Sequence, residues 1–358
     1  MRAAARGNEA AVKLLIETGK VEVNVKDKEG RTPLIWAADH GHRGMVKLLL
    51  NIGKVEVDSK DERRRTPLWV AALSGHEGTV KLLLETGKVE VDSKDDYGQT
   101  PLIKAVCKGH EGAVKLLLTI GKAAADQKNE YGRTLLSLAA VQGYEGIVKL
   151  LLQTGKVELI LEDKGGWTPF FLAAAYRYEG TVKLLLDTEK VKVDGEHSYS
   201  WTVLSTAVRV GHKGILKMLL KTGEIEAGWE TKVDWKDEDG QTPLSKAARH
   251  GYEGIIELLL KTDKVEVDSK DNMGWTPLSK AAACRYEGIV DLLLRTGKVE
   301  VDSKDNMGWT PLSKAAALRD RDIVDLLLRT GKAKIESKDY NTRGKDVVKL
   351  VREYAKIT

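Results

Sequence analysis

Cysteine and long apolar stretches are nearly absent from this chain of 358 residues. Its two cysteines, Cys107 and Cys284, cannot build a disulfide framework, and free thiols are typical of proteins from a reducing compartment. The N-terminus has no apolar signal core, and no window approaches the roughly 18 to 20 uncharged apolar residues that a membrane span needs. We therefore expect a soluble protein of the cytoplasm or nucleus, with no membrane partner.

A strong charge of either sign and the usual catalytic motifs are also missing. The 58 basic and 53 acidic residues leave a net charge of +5, which is too weak to indicate nucleic acid as the partner. There is no Cys-x-x-Cys, no His-Glu-x-x-His, no phosphate-binding glycine loop and no Gly-x-Ser-x-Gly. The acidic stretch at 234–241 lacks the spacing of a calcium loop. The sequence therefore predicts no metal, no cofactor and no catalytic residue.

A repeat dominates what is present. The stretch SKDNMGWTPLSK occupies residues 269–280 and recurs unchanged at 303–314. Its threonine returns every 34 residues, with one step of 40, at Thr32, Thr66, Thr100, Thr134, Thr168, Thr202, Thr242, Thr276 and Thr310. This period predicts a single solenoid over residues 1–358. It consists of a partial repeat at 1–26, nine repeats at 27–338 with a six-residue insertion near 226–233, and a C-terminal cap at 339–358.

Each repeat has the signals of two helices and a loop. Threonine followed by proline is typical of a helix N-cap and first turn, and a glycine such as Gly41 ends that helix. The second helix has a broad apolar stripe, as in YEGIVDLLLRTG, and closes at Gly297. The remaining segment, KVEVDSKDNMGW, contains an Asp-x-x-Gly turn and predicts a projecting hairpin-like loop. Because one unit cannot bury its apolar face, we expect an all-α solenoid of stacked helix-turn-helix units with β-hairpin-like loops.

These motifs resemble the ankyrin repeat over nearly the whole chain. The matching residues are Asp-x-x-Gly-x-Thr-Pro-Leu, then Ala-Ala, Gly-His and Val-x-Leu-Leu-Leu. Most units have one extra residue before the turn and lack the histidine that usually follows Thr-Pro-Leu. That style is similar to fungal arrays, which often follow a nucleotide-binding signalling domain. The chain starts inside a first helix, which fits either a fragment of a larger protein or an ordinary truncated cap.

The resemblance implies a non-enzymatic protein-interaction scaffold that binds its partner through a concave surface of loops and first helices. It also assigns a structural role to His42, His76, His110 and His212, which stand ten residues after the repeat threonine. Other copies have tyrosine there. In ankyrin-like units this position ties the turn between the two helices, so we interpret these histidines as scaffold rather than as ligands.

Aromatic residues near the loops are the first candidates for partner binding. Tryptophan precedes the threonine in four copies, and tyrosine stands two residues further upstream in three: Trp167, Trp201, Trp275, Trp309, Tyr97, Tyr131 and Tyr199. If the base of the loop is exposed, these rings are the kind of anchor that dominates binding energy at protein interfaces. The alternative is that they only pad neighbouring loops against each other.

A second row of candidates lies on the first helix, where positions four, seven and eight after the threonine share a face. It includes Trp36, Tyr176 and His250, and Lys280 and Lys314 make it basic toward the C-terminus. In three repeats arginine replaces the cap glycine, and a left-handed conformation there costs about 1 kcal/mol. These are Arg177, Arg285 and Arg319. The row favours an acidic or phosphorylated partner segment, and the alternative is a solvated lysine face.

The repeat is least regular between residues 163 and 237. His197 replaces the loop aspartate, and the inserted segment adds Trp229 and Trp235. This loop is either tolerated drift or a clamp for the partner. Two other functions stay open: a small-molecule or enzymatic groove around residues 163–237, and nucleic-acid binding by the basic C-terminal face.

Overall fold

The computed structural model of the protein describes residues 1–19, 22–188, 203–221, 234–262 and 265–333. The candidates His197, Tyr199, Trp201 and Trp229 lie outside these ranges, as do the inserted segment and the C-terminal cap. The described residues form twenty helices: α1 Arg2–Ala5, α2 Glu9–Glu17, α3 Pro33–Asp39, α4 Arg43–Asn51, α5 Pro67–Leu73, α6 Glu77–Glu85, α7 Pro101–Lys108, α8 Glu111–Thr119, α9 Leu135–Ala140, α10 Glu145–Gln153, α11 Pro169–Ala175, α12 Glu179–Leu186, α13 Val203–Arg209, α14 Lys213–Lys221, α15 Pro243–His250, α16 Glu253–Leu260, α17 Pro277–Ala283, α18 Glu287–Arg295, α19 Pro311–Ala317 and α20 Arg321–Arg329.

The helices belong to two compact units, residues 1–192 and 193–358. Within each unit, odd-numbered helices are the first helices of repeats and even-numbered helices are the second. First helices pack against first helices of the next repeat, as α3 does against α5 and α17 against α19. Second helices pack against second helices in the same way, as α6 does against α8. This stacking confirms the predicted fold class, while the single solenoid over 1–358 stays a prediction. None of the described helices has the length and apolar character to cross a membrane.

The first helices begin where Thr-Pro predicts. In α17 the hydroxyl of Thr276 accepts a hydrogen bond from the Ser279 N–H at 3.2 Å, and Pro277 takes the first helical position. Thr276 and Leu278 are fully buried, together with the paired alanines Ala281 and Ala282. Because alanine adds so little bulk, the first helix of the next repeat can approach this face closely.

The second helices supply the branched apolar side chains of the core. In α18 the buried residues are Ile289, Val290 and Leu293, at i, i+1 and i+4 on one face. Gly297 follows this helix with a φ of 68°, which confirms its predicted left-handed conformation. Leaving these apolar side chains exposed would remove the main driving force for stacking.

Rings at the start of the second helices fasten one repeat to the one before it. The imidazole Nε2 of His76 lies 3.0 Å from the carbonyl oxygen of Asp39, thirty-seven residues earlier, and His110 makes the equivalent contact with Leu73 at 2.9 Å. The His76 ring lies so close to Gly41 that a Cβ there would be 2.5 Å from it. These contacts confirm the structural interpretation of His76 and His110, and they require glycine at position 41.

The loops are turns rather than strands, since the described residues contain only an isolated bridge between Lys128 and Thr134. In the loop before α17, Asp271 Oδ1 accepts hydrogen bonds from the N–H groups of Met273 at 2.9 Å and Trp275 at 2.8 Å. Consecutive loops are joined through the main chain, because the Asn306 N–H donates to the Met273 carbonyl oxygen at 3.0 Å. Each loop is therefore held both internally and by its neighbour.

Candidate partner-binding surfaces

Two lysines of the predicted binding face are buried, which corrects the expectation that they are exposed. Lys280 is only 3% exposed, and its ammonium lies 2.8 Å from Asp271 Oδ2 and 2.8 Å from Gln241 Oε1. Lys314 is also buried and paired with Asp305 of its own repeat. Burial lowers the pKa of Lys280, and the hydrogen bond that its ammonium donates to Asp271 opposes that change. The loop folds over this part of the helix, so both lysines hold the scaffold together.

The three loop-base tryptophans that the structure describes, Trp167, Trp275 and Trp309, are half-buried, although the sequence predicts an exposed position. The ammonium of Lys314 lies 3.7 Å from the centre of the Trp275 ring, within the range of a cation–π contact. Trp167 stacks on Phe171 with ring centres 4.3 Å apart, and Trp309 is half-buried as well. For Trp167 and Trp275 these contacts favour the interpretation that the rings pack within the scaffold.

Two further tryptophans, Trp36 and Trp235, also contact charged side chains of the scaffold. Trp36 Nε1 donates to Asp27 Oδ2 at 2.8 Å, and the Arg31 guanidinium covers the same ring at 3.7 Å. Trp235 is half-buried, and the ammonium of Lys246 lies 5.2 Å from its ring centre. Part of each ring still faces solvent, so these residues stay candidates for the rim of a binding surface.

Four of the exposed large apolar side chains lie at the tips of loops instead. Tyr97 and Tyr131 are 65% and 61% exposed. In the second unit Met273 and Met307 occupy the same loop position and are 62% and 81% exposed. We call these four residues the tip row. Sequence reasoning missed the two methionines, although their alignment with Tyr97 and Tyr131 in the 34-residue register was a usable signal.

The tip row is held by the main chain, so its side chains stand on a fixed backbone. Asn129 Oδ1 accepts the N–H groups of Tyr131 and Arg133, each at 3.0 Å. The Tyr131 carbonyl in turn accepts the N–H of Lys164 at 3.0 Å, from the tip of the next loop. Such preorganisation reduces the entropy lost when a partner binds.

The arginines that replace cap glycines have the conformation that the sequence predicts. The φ angles of Arg177, Arg285 and Arg319 are 67°, 64° and 56°. The Arg285 guanidinium lies 3.2 Å from Asp320 Oδ2 and donates to the Leu318 carbonyl at 3.2 Å. Asp320 stands where other repeats place the ring that covers the cap glycine, so this ion pair replaces the ring-on-glycine contact. The strain expected at Arg285 therefore has a compensating contact in the next repeat.

The exposed cation Arg249 lies beside His250 at the end of α15, and the buried ammonium groups of Lys246 and Lys280 lie nearby. His250 and Arg249 are exposed, and the imidazole stacks on Tyr252 with ring centres 5.6 Å apart. Burial lowers the pKa of His250, and the charges of Arg249, Lys246 and Lys280 lower it further. This positive environment suits an anionic group of a partner. Tyr176, which is 57% exposed, marks the corresponding helix end of α11.

The arrangement offers little for metal binding or catalysis. Among the residues that the structure describes, no three His, Cys, Asp or Glu side chains are grouped so as to hold a metal ion. Burial raises the pKa of Cys107, while Lys104 and Lys108 oppose this change. Trp167, Tyr176 and Arg177 belong to the first unit and Trp235 to the second. The groove around residues 163–237 and the absence of a metal or cofactor both stay predictions.

Comparisons with known proteins agree with the stacked helices. The family model described as ankyrin repeats in three copies matches residues 1–95, 87–160, 155–228, 225–305 and 271–339. The ankyrin repeat domain of human ASB11, known from a crystal structure, is 27% identical in sequence, with a TM-score of 0.53. The similarity covers 66% of this chain and 99% of that one. No curated protein sequence matches this chain. Because the family model covers most of its length, this chain belongs to the ankyrin-repeat family.

Proposed function

We propose that the chain is a non-enzymatic scaffold that binds a protein partner through its loop tips and the exposed ends of its first helices. Ankyrin repeats generally mediate interactions between proteins, and the tip row is the observation that supports this use here. Two loops of each unit present a large apolar side chain at the same position of the repeat, and exposed apolar groups are typical of protein-binding surfaces. Within the second unit, the half-buried Trp275 and Trp309 would border the same surface.

We further propose that the partner of the second unit has an acidic or phosphorylated segment. Arg319 and Arg249 are exposed cations there, whereas Lys280 and Lys314 are neutralised within the scaffold and no longer count toward this charge. The same neutralisation weakens the case for nucleic acid as the partner of the C-terminal repeats. The free cysteines Cys107 and Cys284 fit an intracellular location for such a scaffold.

The test begins with affinity capture by the intact chain and identification of the captured proteins. The tip variants Tyr97→Ser/Tyr131→Ser and Met273→Ser/Met307→Ser are then compared with the matched control Ile160→Ser, which replaces a residue that is 62% exposed outside the tip row. A true anchor is worth about 2 kcal/mol or more, or roughly 30-fold in Kd. We expect at least one tip variant to lose affinity to that extent in calorimetry with the purified partner, and the control to retain it.

Two results would contradict the proposal. One is wild-type affinity in both tip variants for every captured protein, which would place binding elsewhere on the chain. The other concerns charge: if Arg319→Gln changes neither the affinity nor its dependence on salt, the anionic segment is wrong even when the tip row is right. Melting curves of all variants check that they fold.

A further inference from the structure

Equivalent polar side chains link consecutive loops at five described positions. At each one, a side-chain oxygen accepts a hydrogen bond from the main-chain N–H that follows thirty-two residues later. The pairs are Asn24 with Glu56 at 3.0 Å, Asp58 with Glu90 at 2.7 Å, Asp92 with Ala124 at 3.3 Å, Asp234 with Glu266 at 2.6 Å, and Asp268 with Glu300 at 2.6 Å. These bonds join one repeat to the next.

The second polar atom of the side chain separates these positions into two groups. Asn24 uses its amide to donate to the Lys54 carbonyl oxygen at 3.0 Å, and Asp92 Oδ1 accepts from the Gln127 amide at 2.6 Å. In Asp58, Asp234 and Asp268, by contrast, Oδ1 is shielded from solvent and accepts no hydrogen bond from any described residue. An ionised carboxylate with a buried, unpartnered oxygen is unfavourable in the folded state.

The charged groups near these three carboxyls do not offset the cost of burying the ionised form. Asp58 is faced by Glu90 and Lys60, and burial raises its pKa, with the Glu90 charge adding to that increase. The Glu90 N–H and the Lys60 charge act in the opposite direction. The pKa of Asp234 is raised by burial and by Glu266, against Lys236.

Asp268 repeats this environment with one more like charge. Burial raises its pKa first, and the charges of both Glu300 and Glu266 raise it further. Only the Glu300 N–H and Lys270 oppose the change. All three positions therefore disfavour the carboxylate relative to an exposed aspartate, and this raises the pKa of each.

We propose that Asp58, Asp234 and Asp268 are proton-dependent links between repeats, in which the buried oxygen takes up a proton from solvent, keeps it, and donates a hydrogen bond to a main-chain carbonyl oxygen. Asn24 indicates which carbonyl would accept this hydrogen bond, because its amide donates to the carbonyl oxygen of Lys54, thirty residues later. The carbonyls at the same offset from Asp58 and Asp268 belong to Lys88 and Lys298. Proton uptake turns an oxygen without a donor into a hydrogen-bond donor, with the proton taken from solvent.

The direction of the pH effect follows from linkage. A carboxyl whose pKa is higher in the folded than in the unfolded protein binds more protons when folded. Its stabilising effect is complete below the unfolded pKa of about 3.9 and is lost as the pH rises through the folded value. Within that window each pH unit changes the folding equilibrium by up to about tenfold per carboxyl. The links between repeats should therefore weaken as the pH rises above that unfolded value.

The experiment compares thermal melting of the full chain and of the variant Asp58→Asn/Asp234→Asn/Asp268→Asn between about pH 4 and 8, a range that starts at the unfolded pKa. Asparagine keeps the acceptor oxygen and supplies a permanent donor, so we expect a higher midpoint near neutral pH and a weaker pH dependence. The matched control is Asp92→Asn. Gln127 already donates to that carboxylate and is itself held by Thr100, so asparagine should bring no gain there.

A direct measurement on the unmodified chain keeps the proposal testable if the triple variant folds poorly. Carbon-13 NMR of the aspartate carboxyls reports the titration midpoint of each side chain. Midpoints above the ordinary value of about 3.9 at Asp58, Asp234 and Asp268 support the proposal. Midpoints at or below that value, or parallel melting profiles for the wild type and the folded triple variant, would overturn it.

Discussion

Replacing Asp271 by asparagine isolates the contribution of a buried ion pair, because the chain already shows that asparagine supports this turn. Asn129 occupies the equivalent position and accepts the same two main-chain hydrogen bonds, at 3.0 Å each. Its repeat has the buried Leu138 where the repeat of Asp271 has Lys280. The variant Asp271→Asn should therefore keep the turn and lose only the negative charge that faces the buried ammonium of Lys280.

The expected loss is large for a substitution that removes no bulk. At 2.8 Å, and with an effective dielectric constant of about 20, the attraction between the two charges is roughly 6 kcal/mol. The Gln241 oxygen stays in contact with the ammonium, also at 2.8 Å, and asparagine retains a dipole. We therefore expect the free energy of unfolding to fall by about 3 kcal/mol, near the lower end of the range for breaking a buried pair.

The second substitution, Lys280→Leu, completes a double-mutant cycle that recreates the combination of Asn129 and Leu138. The double variant should recover to within about 1 kcal/mol of the wild type, because a neutral asparagine beside a leucine leaves no buried charge to be compensated. Urea unfolding followed by circular dichroism, with the slopes compared to check cooperativity, measures all four proteins. If the losses of the two single variants simply add in the double variant, Asp271 and Lys280 are not energetically coupled and the reasoning is refuted.

Three other outcomes follow from single contacts. Thr79→Val should raise stability by about 1 kcal/mol, since the buried Thr79 hydroxyl has no hydrogen-bond partner among the described residues; an unchanged or lower urea midpoint would imply a hidden donor or water. Arg319→Gly should raise the free energy of unfolding by about 0.5 to 1 kcal/mol, because glycine adopts the left-handed conformation without strain. Arg285→Gly also loses the ion pair with Asp320, so its gain should be smaller. Equal gains for the two variants would show that the ion pair contributes nothing to stability. Leu278→Ala should lower the free energy of unfolding by about 2 to 5 kcal/mol through a core cavity, and a loss below 1 kcal/mol would mean that the repeats close around it.

The pH dependence of the Asp271→Asn variant gives an independent check of the same ion pair. Without its negative partner, the pKa of Lys280 in the folded protein should fall further below that of an unfolded lysine, which is about 10.4. The folded variant then binds fewer protons than the unfolded chain at alkaline pH, so its stability should rise relative to the wild type as the pH increases. A stability deficit that stays constant from neutral to alkaline pH would contradict this assignment.

The features that recur every 34 residues were predictable from the sequence alone. Thr276 and Pro277 begin a helix, Gly297 follows one and Leu278 is buried, as local pattern and register indicate. The resemblance to ankyrin repeats implied a structural role for His76, and the structure adds that its ring contacts the preceding repeat. The first three outcomes depend on backbone preferences and on apolar spacing, which are encoded in a few neighbouring residues and repeated nine times. The left-handed conformation of Arg285 was predictable for the same reason, because arginine stands where other repeats have glycine.

The burial of individual side chains was decided only by the tertiary structure. Lys280 lies on the helix face that periodicity assigns to it, but the loop of its own repeat covers that face and places Asp271 against the ammonium. Trp275 is half-buried because Lys314 of the next repeat reaches its ring, while Met307, only two residues before the equivalent tryptophan, is open to solvent. Residue type and helical spacing predict the face of a helix on which a side chain lies. Which side chains remain available to a partner depends on how a loop folds back and on what the neighbouring repeat contributes, and both are long-range contacts that a local pattern does not contain.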